Sequence, residues 1–196
     1  MCGILCIKEY QGWKKVQELV PWDSGENLQL DDCSIPVPNP QLNVIYVFLH
    51  LQHHLLQIGT GLRQVCDWLC IWNAKKNEID KELFLKCVNL LPIRRSMTAL
   101  VWIAVNYMGF EDGIIPLNIH TRQAMRDGEL LLSDILKMGN FGRVTDILEG
   151  FERVNHLHNL RAYALAFKRH LHLFKLCPSD GMTYPVVWVS NKLKEK

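Results

Sequence analysis

The chain has 196 residues, 22 Lys and Arg against 20 Asp and Glu, and a formal charge of +2 with eight His besides. Forty-eight per cent of its residues are hydrophobic and 21% are charged, enough apolar surface to offset the entropy of folding, so intrinsic disorder is excluded. A near-balanced charge argues against a general nucleic-acid binder, whose footprint is a strong basic excess.

The first forty residues read differently from the rest. Gly12 to Val20 suits a short helix, and Pro21, Asp23, Ser24 and Gly25 form a turn cluster. Leu28 to Leu30 and Cys33 to Val37 read as extended runs about the Asp31-Asp32 turn, a small hairpin. Pro36, Pro38 and Pro40 exclude a helix there and suit an edge strand leading into a linker.

From Gln41 onward the period becomes helical. Residues 42–58 are apolar nearly all round, which predicts a buried helix. Gly59-Thr60-Gly61 breaks it, and residues 62–72 continue as a second helix. Asp80 is placed to N-cap a helix that runs to Leu91 and stops before Pro92. Residues 96–108 make another apolar helix, with Gly109 as its C′ residue. Residues 111–119 read as a loop and 121–138 as a helix, within which Gly128 costs about 1 kcal/mol relative to Ala. Leu157, Leu160, Ala164, Phe167, Leu171 and Phe174 line a seam along a further helix, ended by Pro178. The expectation is a mainly α protein, a bundle of about six helices with a small N-terminal β-hairpin. Its parts would be an appendage (1–40), a helical domain (41–178) and an extended tail (179–196).

The seven cysteines contain no C-x-x-C, and Cys66 and Cys70 sit inside an apolar pattern where buried thiols are common. With no secretory signal and no apolar run of bilayer length, the economical expectation is a reduced, cytoplasmic protein without a membrane partner.

The most informative local pattern lies on the first long helix. Asn43, His50, His53, His54 and Gln57 fall on one stripe of an otherwise Leu, Val, Ile and Phe surface. That stripe is either the helix's solvent face or the lining of a cleft. His50 and His54 share the i, i+4 spacing of zinc helices, but the general-base Glu of H-E-x-x-H is missing and spacing supplies no third ligand, so no metal site is expected. Arg63 stands in the first turn of the next helix, where an anion would be held. Asp67, four residues on, is equally placed to pair with it. The segment 161–175 is basic on one face, which reads first as a solvated surface and second as a site for an anionic partner.

His50-Leu-Gln-His53-His54 followed by Gly59-Thr-Gly61-Leu62-Arg63-Gln64-Val-Cys-Asp67-Trp68 resembles the signature of an uncharacterised nucleotidyltransferase family of the polymerase-β-like superfamily. Asp134-Ile135-Leu136 with Gly139-Asn140-Phe141-Gly142 is similar to a second block of that family. Ile35-Pro36-Val37-Pro38 is similar to its lead-in, and Cys177-Pro178 with Tyr184-Pro185 to its closing segment, although Asp180-Gly181 departs from the family pattern. The resemblance implies nucleotidyl transfer from a nucleoside triphosphate, with Mg²⁺ held by a Gly-Ser turn and Asp-x-Asp in full-length members. No such Gly-Ser and Asp-x-Asp pair occurs in this sequence. The expectation is therefore the family's C-terminal helical part, inactive alone, with no catalytic residue and no cofactor of its own. His50, His54, Arg63 and Asp67 would face substrate or nucleotide. Arg63 would meet the anion and Asp67 would orient Arg63. The rival expectation is a non-catalytic binding module that docks onto a separate catalytic chain.

Overall fold

A computed structural model describes residues 7–57, 60–138, 171, 173–176 and 178. Among them the protein is mainly α, with six helices and one two-stranded hairpin. Helix α1 spans Ile7–Leu19 and a 3₁₀ turn spans Trp22–Ser24. Strands β1 (Asn27–Leu30) and β2 (Cys33–Pro36) pair antiparallel, Leu28 opposite Ile35 and Leu30 opposite Cys33. Asp31 takes the left-handed conformation at φ 49°, which an Asp tolerates better than most residues.

Helix α2 covers Pro40–Gln57. It starts two residues earlier than its apolar pattern predicts, because Pro40 serves as a first helical residue, where no N–H is needed. Asn39 caps it: its Oδ1 accepts from the Gln41 amide at 2.8 Å. Helix α3 is Leu62–Lys75 and α4 is Lys81–Asn89. Asp80 caps α4 as expected, accepting from the amides of Glu82 (2.9 Å) and Leu83 (3.0 Å). Two further amides, Leu90 and Leu91, close onto the Cys87 and Val88 carbonyls before Pro92. Helix α5 (Arg94–Tyr107) ends at Met108, with Gly109 following at φ +70°, and α6 (Arg122–Met138) is capped by the Thr121 hydroxyl. The seam helix and tail expected beyond residue 138 lie almost wholly outside the described residues.

The core draws on every helix. Val16 and Val20 reach it from the α1 region, Phe48 from α2, Trp68 and Trp72 from α3, Phe84 from α4, Leu100 and Ile103 from α5 and Leu131 from α6. Four aromatic rings run through it in contact order: Phe48 to Trp68 (centroids 5.1 Å apart), Trp68 to Trp72 (6.4 Å) and Trp72 to Phe84 (4.8 Å). The line couples α2, α3 and α4. Helices α5 and α6 pack by close approach. A Cβ on Gly128 would lie 2.1 Å from a ring carbon of Trp102, so the propensity cost of this glycine is the condition for the contact.

Candidate functional site

Helix α2 separates its polar groups by height. Near its start, the buried Gln41 side chain accepts from the Asp80 amide at 2.9 Å and ties α2 to the start of α4. In its second half, Gln52 is buried against the Ser96 hydroxyl of α5, which also donates to the Ile93 carbonyl at 2.9 Å. The three histidines occupy the last turns. His50 is exposed, and His53 and His54 are half-buried.

These rings associate with one another. The Nε2 atoms of His50 and His54 are 3.0 Å apart, with the rings edge to face at 4.5 Å between centroids. His53 lies edge to face with His54 at 6.0 Å. Burial, and then the neighbouring imidazoles His54 and His50, push the His53 pKa down from 6.5 to about 4. Burial also lowers that of His54, with His50 adding to the shift. At neutral pH His53 is an uncharged ring.

The chain then crosses to α3. Thr60 is fully buried, and its hydroxyl has no hydrogen-bond partner among the described residues. Gly61 is the N-cap residue, extended at φ −100° and ψ 167°. Having no side chain, it gives the first-turn amides of α3 no side-chain cap. The Gln64 side chain reaches back and accepts from the Gly61 amide at 2.9 Å, half of a capping box. One turn in, the Trp68 indole N–H donates to the Val44 carbonyl at 2.9 Å, which fixes the register of α3 on α2.

Arg63 and Asp67 both lie on α3 and both are exposed. The ion pair that their spacing permits is not formed among the described residues, so each head group faces solvent. Asn43 is half-buried, and the side chain of Gln57 lies outside the described residues. Two polar participants escaped the stripe read from sequence. Gln52 lies off that stripe, and its partner Ser96 is 44 residues away, beyond any local pattern. The thiols also differ from expectation. Cys66 and Cys70 are exposed on α3, and Cys87 is the buried one, where burial raises its pKa. Cys66 and Cys70 each lie one position after a buried residue (Val65, Leu69) and two before the next (Trp68, Trp72), so they fall on the outer side of an amphipathic helix.

The Mg²⁺ that the resemblance implies for full-length members does not suit the residues gathered here. The donors that converge are imidazoles, whereas Mg²⁺ takes oxygen ligands. Among the described residues no helix is long and apolar enough to cross a membrane.

No curated protein and no solved structure matches the chain. The sequence model of a family described as uncharacterised nucleotidyltransferase matches residues 11–109. That span runs from α1 through the hairpin, the histidine row, the Gly61 turn and the Trp68 contact to Gly109 at the end of α5. With about half of its length matched, the chain belongs to the uncharacterised nucleotidyltransferase family.

Proposed function

We propose that this chain supplies one wall of a nucleotidyltransferase cleft and docks against a module that carries the catalytic carboxylates. The observation that carries this reading is the hairpin. Its cross-strand pairs put Leu28, Leu30, Cys33 and Ile35 on one face. Leu28 is 55% exposed, Leu30 58% and Ile35 44%, an apolar face turned to water. Trp22 and Val37 on either side are exposed too. Contiguous apolar surface of this kind marks a contact site rather than ordinary surface scatter. The occupant in this reading is a domain with the Gly-Ser turn and Asp-x-Asp implied by the family resemblance, a pair that this sequence lacks.

In that arrangement His50, His54, Arg63 and Asp67 face the shared cleft. Arg63, on the first turn of α3, meets a phosphate of the nucleoside triphosphate, and Asp67 orients Arg63 once the anion is bound. The exposed thiols of Cys33, Cys66 and Cys70 fit the reducing cytoplasm that this reading assumes. The alternative, a binding module without a part in transfer, shares the docking face and differs in what the complex does.

The test mixes the chain with the catalytic domain of a family member and follows co-elution and pyrophosphate release from labelled triphosphate with Mg²⁺. The expected result is a complex that turns over, no turnover by the chain alone, and loss of the complex in Leu28→Asp. Turnover by the repurified chain alone overturns the reading. A complex that forms but is indifferent to Arg63→Ala supports the binding module.

A further inference from the structure

We propose that His50 and His54 form a two-imidazole chelate for a borderline divalent transition ion of the Ni²⁺ or Cu²⁺ type. The site does not depend on the docking reading, since both ligands come from one helix of this chain.

Residues four apart share a helix face, and α2 holds these two with their Nε2 atoms 3.0 Å from each other. Imidazole nitrogens bind such ions at about 2.0–2.1 Å, so two donors at this separation subtend roughly 90–95° at a common ion. That is the cis angle of square-planar or octahedral coordination. A tetrahedral ion needs its donors about 3.3 Å apart, so the pair suits Ni²⁺ or Cu²⁺ better than Zn²⁺. Hard Mg²⁺ and Ca²⁺ are disfavoured by the nitrogen donors.

Without an ion, the two rings share one N–H···N hydrogen bond. Binding moves that proton to the Nδ1 of the same ring and turns both Nε2 lone pairs to the ion, with no bond broken elsewhere. His50 is exposed, so the ion has a path in. Among the described residues no group of three or more His, Cys, Asp or Glu is placed to hold a metal. Water or an oxygen of a bound anion would complete the coordination.

The experiment titrates Ni²⁺ into the reduced full chain by calorimetry, beside His50→Gln, His54→Gln and His53→Gln, with circular dichroism as a check on folding. Thiols and other histidines are common to all four proteins, so the differences read the pair. Either His50→Gln or His54→Gln is expected to weaken binding at least about tenfold, the step from two donors to one, with His53→Gln unchanged. Equal affinity in all four proteins overturns the site, as does Mg²⁺ displacing Ni²⁺ at equal concentration. Histidine-ring NMR of the unmutated chain gives a second readout. Trace Ni²⁺ should broaden His50 and His54 ahead of the other histidines, and uniform broadening overturns the proposal.

Discussion

Helices α5 and α6 meet with their polar groups paired, whereas α2 and α3 meet with polar groups left over. Between α5 and α6, Arg95 holds Asp127 by two bonds, Nε to Oδ2 at 2.6 Å and a terminal nitrogen to Oδ1 at 2.9 Å. Within α6, the Gln123 side-chain amide also donates to Asp127 Oδ1 at 2.8 Å. Trp102 fills the gap above Gly128. Across α2 and α3 the Trp68 indole N–H donates to the Val44 carbonyl. Among the described residues the Thr60 hydroxyl before α3 and the Trp72 indole nitrogen on α3 have no partner, the histidines of α2 engage one another, and Arg63 and Asp67 are exposed. A buried polar group without a partner costs about 1–3 kcal/mol, so the second pair carries a local cost that the first avoids.

Substitutions should separate the two pairs by size of effect. The largest falls on the paired side. Gly128→Val drives new atoms into Trp102 and should cost about 3 kcal/mol in urea unfolding, with partial recovery in Gly128→Val/Trp102→Ala. Asp127→Ala leaves Arg95 without its bidentate acceptor. Because the Arg95 side chain is 40% exposed, water relieves part of the loss, and about 2 kcal/mol is expected from the same measurement.

The next effect falls on the unpaired side and depends on pH. His53 has its pKa depressed from 6.5 to about 4, so between these values the unfolded chain binds more protons than the folded one. Its contribution is complete above pH 6.5 and is lost as pH falls toward 4, with a slope of up to about 1.4 kcal/mol per pH unit. His53→Gln should flatten that window in thermal scans taken across it. Trp68→Phe keeps the ring packing and removes the donor to Val44, for about 1 kcal/mol. Arg63→Ala should be the smallest, within about 0.5 kcal/mol for unfolding, while binding of inorganic triphosphate weakens measurably. A large stability loss in Arg63→Ala would assign this side chain a structural role and erase the contrast.

Local chemistry made much of the fold legible. Asp80, Pro92 and Gly109 mark helix ends through caps and stops that act within a few residues, and Asp31-Asp32 marks the hairpin turn. The histidine row was legible because helical spacing alone puts His50 and His54 together. What stayed hidden depends on partners far along the chain. Gly128 reads as a weak point until Trp102 is placed against it. Arg95 and Asp127 are 32 residues apart, and Gln52 and Ser96 are 44 apart. Pro40 was misread as a linker residue because its role at a helix start depends on Asn39 serving as the cap. The exposure of Cys66 and Cys70 follows from which face of α3 turns inward, and only the packing of Trp68 and Trp72 settles that.

The two indoles in the aromatic line have an optical consequence. Trp68 and Trp72 stand at an interplanar angle of 83° and 6.4 Å between centroids, close enough for their excited states to mix. Coupling of their intense indole transitions is expected to give paired bands of opposite sign in the far-ultraviolet circular dichroism spectrum. Any ligand or partner that slides one helix along its neighbour will change the surroundings of Trp68 through its bond to Val44, so the protein carries a built-in gauge of that movement without an added dye.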